Sequence, residues 1–123
     1  MKWIITTLVA VVLLIFTTAT TIHTPIEKVQ KGVASWYGKK FHKKEMANGK
    51  KFDMFRFSVA HKFIPLGTIL HVTNLANGRE IVVEVTDRGP FIKGRDFDFS
   101  WAAAKALGFI GEGLTLVRYV EIN

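Results

Sequence analysis

The stretch from Thr68 to Val85, TILHVTNLANGREIVVEV, decides the fold. Two β-branched and aliphatic runs, Thr68–Thr73 and Arg79–Val85, flank the pair Asn77-Gly78. Both residues of such a pair tolerate positive φ, so the stretch predicts a β-hairpin. Upstream, Val33-Ala34-Ser35-Trp36-Tyr37 alternates and is rich in β formers, predicting a strand that ends at Gly38. Phe57–Ala60 is short and apolar, and Pro65-Leu66-Gly67 punctuates it. Downstream, Ser100 to Leu107 predicts one short helix, with Ser100 as N-cap and Gly108 as the stop. Leu114–Ile122 predicts a last strand. Short strands around one or two short helices, with no repeats, predict a mainly β chain closed into a small barrel.

The 123 residues support one domain and exclude a multidomain enzyme. The absence of cysteine excludes disulfides, zinc-thiolate sites, thiol catalysis and a lipid anchor through cysteine. The net charge of +7 favours an anionic partner. Lys2 precedes an apolar run from Ile4 to Phe16, followed by the small residues Thr17 to Thr20. As a helix the run spans about 20 Å, short of a hydrocarbon core of about 30 Å. Residues 1–20 are therefore expected to be a signal peptide or an N-terminal membrane anchor. Residues 21–31, with Pro25, read as a linker, and 32–123 as the domain. Export to the periplasm or cell envelope follows. It argues against nucleic acid and limits membrane contact to the N-terminal segment. A monomer is expected.

Seven segments together resemble the rare lipoprotein A (RlpA) family of bacterial cell-envelope proteins. They are Gly32–Gly38, Ala47–Gly49, Ala60–Lys62, Val72–Arg79, Asp87–Phe91, Gly94-Arg95 and Asp98–Ser100. The resemblance implies a six-stranded double-psi β-barrel, a fold shared with expansins and certain cellulases. It also implies a lytic transglycosylase that cuts peptidoglycan glycan strands. Such an enzyme protonates the departing glycosidic oxygen, then deprotonates the sugar 6-hydroxyl as it closes a 1,6-anhydro ring. One carboxyl group can do both in turn.

By the same resemblance, Asp87 is the leading acid and base; the plainer reading has it pair with Arg88 or cap the Gly89-Pro90 turn. Asp98 corresponds to the acid that meets glycan in expansins and related cellulases, or else it serves the helix start at Ser100. His61 matches a family histidine near the groove and could hydrogen-bond Asp87 or a sugar hydroxyl. Ser35, Trp36 and Tyr37 would line the groove with Arg88. Alternation sets Trp36 opposite to Ser35 and Tyr37, without saying which face is core. No His and carboxylate stand at helical metal-ligand spacing, so neither metal nor other cofactor is expected.

Lys50 departs from the family pattern, which has a Glu after Ala-Asn-Gly. Within about 4–6 Å of Asp87 a lysine would favour the ionised carboxylate. Glu45 is a nearby carboxylate that could substitute for the missing acid. Lys39, Lys40, Lys43, Lys44, Lys50 and Lys51 crowd one loop, which suits anionic wall polymers or is simply a solvated face. Two functions therefore compete: a transglycosylase, and an expansin-like module that grips wall glycan without cutting it.

Overall fold

The computed structural model describes residues 28–122; the expected signal or anchor, and the linker up to residue 27, lie outside the described residues. Six strands form a closed barrel: β1 Gln30–Trp36, β2 Val59–His61, β3 Ile69–Asn74, β4 Glu80–Asp87, β5 Phe97–Phe99 and β6 Leu114–Glu121. The helix α1, Trp101–Leu107, and a 3-10 turn at Lys39–Phe41 complete the described elements. Around the barrel the order is β1-β5-β2-β4-β3-β6. Chain neighbours β3 and β4 pair antiparallel, as the hairpin reading requires. Strand pairing starts ahead of the expected Gly32, because Gln30 and Lys31 pair with Tyr119 and Arg118 of β6.

The hairpin turn is longer than a two-residue one. Only Gly78 takes a positive φ, of 77°, and Asn77 does not. Asn77 spends its side chain instead, accepting from the Arg79 N–H through Oδ1 and donating to the Leu107 carbonyl. Buried Asn74 donates to the same carbonyl at 2.8 Å and accepts from Thr115 Oγ1 at 2.7 Å. The hairpin thereby satisfies an end of α1 that the helix cannot pair internally. At the other end, Ser100 Oγ accepts from the Ala103 N–H, as an N-cap should. Gly108 closes the helix at φ 76°, and a Cβ there would stand 2.7 Å from Asn77 Nδ2.

The core lies inside the barrel and under α1, built around Val59, Leu70, Val85, Phe97, Phe99 and Leu107. Fully burying one such phenylalanine contributes about 1.5–3 kcal/mol. A second, smaller cluster of Tyr37, Met46, Phe52 and Ala60 lies on the other side of the sheet. Between them β5 reads Phe97-Asp98-Phe99, buried on both sides of a half-buried aspartate. Alternation alone thus turns Asp98 out of the core and toward the smaller cluster.

Candidate active site

Ala60 is the register partner of two aspartates. It pairs with Asp98 across β2–β5 and with Asp87 across β2–β4. Register partners project to the same face of a sheet. Asp98, Ala60 and Asp87 therefore form a row across three strands, and the small alanine leaves the space between the acids open. A groove of about 320 Å³ sits over the row. Its lining includes both aspartates, Tyr37, Arg88, Phe41, Lys44, Glu45 and Phe91.

Asp87 reaches this face through an irregularity. Val83 and Val85 point into the core, so a regular strand would send Asp87 the same way. The β2–β4 register shifts between Val59 and Ala60: Val59 faces Val85, whereas Ala60 faces Asp87, with Thr86 left as the extra residue. Such a bulge re-aims the side chain that follows it. The Ala-Asn-Gly segment then fastens the strand end. The Ala47 N–H donates to Asp87 Oδ1 at 2.9 Å, and the Asn48 N–H donates to the Thr86 carbonyl at 3.2 Å. The Arg88 N–H also donates to Asp87 Oδ1 at 2.9 Å.

Asp98 is held differently. Its side-chain partner is Ser35, whose Oγ stands 3.1 Å from Asp98 Oδ1. Burial pushes the Asp98 carboxyl up to about 6; the Asp87 charge adds to the rise, while Ser35 and Arg95 oppose it. Ser100 caps α1 as the sequence reading has it, and Asp98 lies in β5 with Ser35 as its side-chain partner. Tyr37 floors the groove, and burial also raises its phenol above the ordinary tyrosine value.

Four sequence expectations need correction. Ser35 is 1 % exposed and therefore reaches no glycan; it acts on Asp98. Trp36, on the opposite face of β1, packs against the main core rather than in the groove. His61 does not bond Asp87. It follows Ala60 and so faces the other side, its ring 4.9 Å from that of Phe97. Its Nδ1 accepts from the N–H groups of Phe63 and Ile64, and burial lowers its pKa. Lys50 is exposed and outside the groove lining, and among the described residues no ion pair joins it to Asp87. The backbone turn explains this: the Met46 N–H donates to the Lys50 carbonyl, so the motif offers Asp87 the Ala47 N–H instead.

Arg88 lines the groove, but its Nη1 donates to the carbonyls of His61 and Ile64, bracing the β2 exit. The sequence reading missed the rim residues Phe41 and Phe91, the latter 82 % exposed. Aromatic faces of this kind suit sugar rings. Two lysines, Lys40 and Lys44, stand over the Phe41 ring at 5.1 and 5.8 Å. Glu45, the suggested substitute acid, does reach the groove. Among the described residues no cluster of His, Cys, Asp and Glu has a metal-binding arrangement.

The family model described as lytic transglycolase matches residues 29–119. The chain belongs to this family. Its barrel is an RlpA-like double-psi β-barrel. A relative from Aquifex aeolicus, named a probable endolytic peptidoglycan transglycosylase RlpA, is 49 % identical over 87 residues, covering 71 % of this chain and 38 % of that protein. A Pseudomonas aeruginosa endolytic peptidoglycan transglycosylase RlpA is 48 % identical over 92 residues, covering 75 % and 27 %. The chain thus spans well under half the length of these lytic transglycolase relatives. Among solved structures, the Streptomyces papain inhibitor matches with TM-score 0.61 and 25 % identity, covering 79 % of this chain and 98 % of that one. A mutant expansin from Clavibacter michiganensis, in complex with cellohexaose, matches with TM-score 0.62 and 23 % identity over 78 % and 51 % of the two chains, a likeness of fold.

Proposed function

We propose that this domain is a lytic transglycosylase that cleaves peptidoglycan glycan strands and leaves 1,6-anhydro ends. The observation that carries the reading is the pair of unlike carboxyl groups flanking Ala60 under one groove. Asp98, pushed up to about 6, holds a proton in mildly acid conditions and gives it to the departing glycosidic oxygen. As a carboxylate it then accepts the proton of the sugar 6-hydroxyl, whose oxygen closes on C1. Asp87 is oriented by two backbone N–H groups and sets negative charge beside the sugar ring as that ring becomes electron-poor. Relatives named as peptidoglycan transglycosylases support the substrate class. The acid and base role thus moves from Asp87, where the sequence reading puts it, to Asp98.

The domain acts in the cell envelope, delivered there by residues 1–20; a periplasmic reporter fused after Ile26 should be active. The lysines of the 39–51 loop favour anionic wall polymers as additional contacts, and the domain works as a monomer. Digestion of purified glycan strands tests the central claim. Anhydro ends differ in mass from hydrolysed ends by one water, so mass detection separates the two reactions. The glycan-gripping alternative rests on Lys50, a lysine where the family pattern has a glutamate. Binding without either product would establish that alternative.

A further inference from the structure

Ser35 Oγ lies 3.1 Å from the Phe97 carbonyl oxygen and 3.1 Å from Asp98 Oδ1. A hydroxyl has one hydrogen, so it can donate to only one of these at a time. Ser35 is buried and is the β1 register partner of Asp98, so the three oxygens keep their places while the hydrogen chooses between them. An ionised carboxylate oxygen makes a hydrogen bond roughly twice as strong as a neutral carbonyl oxygen does. The choice therefore depends on whether Asp98 carries its proton.

We propose that Ser35 is a positioning residue whose single hydrogen turns from the Phe97 carbonyl to Asp98 Oδ1 when Asp98 gives up its proton, and turns back when the proton is regained. The inference rests on the reading of Asp98 as the acid and base. Ser35 keeps its hydrogen on Oγ throughout. The catalytic proton leaves Asp98 for the glycosidic oxygen and is replaced by the one from the 6-hydroxyl. Rotation about one C–O bond is the whole movement, so the buried side of Asp98 is matched to both of its states without displacing β1 or β5. The other groups around Asp98 are Arg95, Asp87 from β4, Tyr37 after β1, and Lys44, Glu45 and Arg88 in the groove lining. None of them contacts Ser35 by hydrogen bond among the described residues.

Carbon-13 NMR tests this on the intact protein without substrate. The Phe97 carbonyl and Asp98 carboxyl resonances should move with a common midpoint as pH is raised from about 4 to 8. In Ser35→Ala the Phe97 step should shrink to the part carried through the shared Phe97–Asp98 peptide bond, and the Asp98 midpoint should rise by about one unit, because the carboxylate has lost its donor. Ser35→Thr should restore both. In glycan digestion, Ser35→Ala should lower kcat with KM little changed. A Phe97 carbonyl that stays flat through the Asp98 titration overturns the proposal, as does a step of undiminished size in Ser35→Ala. If Ser35→Ala does not fold, Ser35→Cys, whose thiol is a weaker donor, replaces it and should give a smaller Phe97 step than wild type. Absence of anhydro product with the coupled titration intact would overturn the transglycosylase reading and leave the Ser35 switch standing.

Discussion

Two strands bring an aspartate to Ala60, and they do so by opposite means. β5 is only three residues long, and its Asp98 is turned outward because Phe97 and Phe99 take the core on either side. It is half-buried, and its side-chain partner is a buried serine. β4 is eight residues long, and its Asp87 is turned outward only by the extra residue Thr86. There the carboxylate meets backbone N–H groups from Ala47 and Arg88. One acid sits where losing a proton is costly; the other sits where negative charge finds donors. Two groups of the same chemistry are made different by burial and backbone geometry, the arrangement an acid and a charge stabiliser require.

The comparison can be broken most severely at Asp98. Asp98→Asn should reduce anhydro-product formation by about 10²- to 10⁴-fold while the barrel stays folded, since it deletes the proton-transferring group. Circular dichroism with mass detection of products checks both parts. Asp87→Asn should cost less, about 10- to 100-fold, because asparagine Oδ1 still accepts the two N–H groups but the charge is gone. It should also lower the Asp98 midpoint, since the Asp87 charge contributes to raising it. Equal losses in the two variants, with an unmoved Asp98 midpoint, would erase the distinction between the acids.

The pH dependence sharpens the same contrast. An acid that must be protonated makes kcat/KM fall as pH rises through about 6. Stability should change in the same window. Because the folded value lies above the ordinary 3.8, the native state holds more protons than the unfolded chain between 3.8 and about 6. The contribution is fully present below 3.8 and is lost as pH rises through about 6. Thermal melts of wild type should decline across that range, and Asp98→Asn should remove part of the decline. The smallest effect belongs to Lys50→Met. With Lys50 outside the groove lining, its pH–rate profile should overlay that of wild type, and a shifted profile would bring Lys50 back to Asp87.

Local rules made much of this legible. The β-branched runs around Gly78, the Ser100 cap and the Gly108 stop are each fixed by a few adjacent residues, and each appears where the sequence places it. β5 was hidden because three residues show no period, and its partners lie in β1 and β2, far away in the chain. The bulge was hidden for a related reason. Nothing in Val85-Thr86-Asp87 marks Thr86 as the extra residue; that is settled by the partner strand and by the Asn48 N–H on the Thr86 carbonyl. Alternation separated Trp36 from Ser35 and Tyr37 correctly. It could not show that Ser35 is sealed under Asp98 while Tyr37 floors the groove, because both lie on one face of β1.

The strand order has a consequence for how the chain comes together in time. Among the described residues β1 pairs only with β5 and β6, so this strand finds no partner there until residue 97 has emerged, and its second partner ends at residue 121. Before β5 emerges, only the β3–β4 hairpin and its short parallel pairing with β2 can form, and a lone hairpin is at best marginally stable in water. Such non-local pairing also slows closure, because loop entropy is spent before long-range contacts return it. A domain delivered N-terminus first, by a ribosome or through a narrow passage, thus cannot close its barrel until β6 is free. It then closes as one unit.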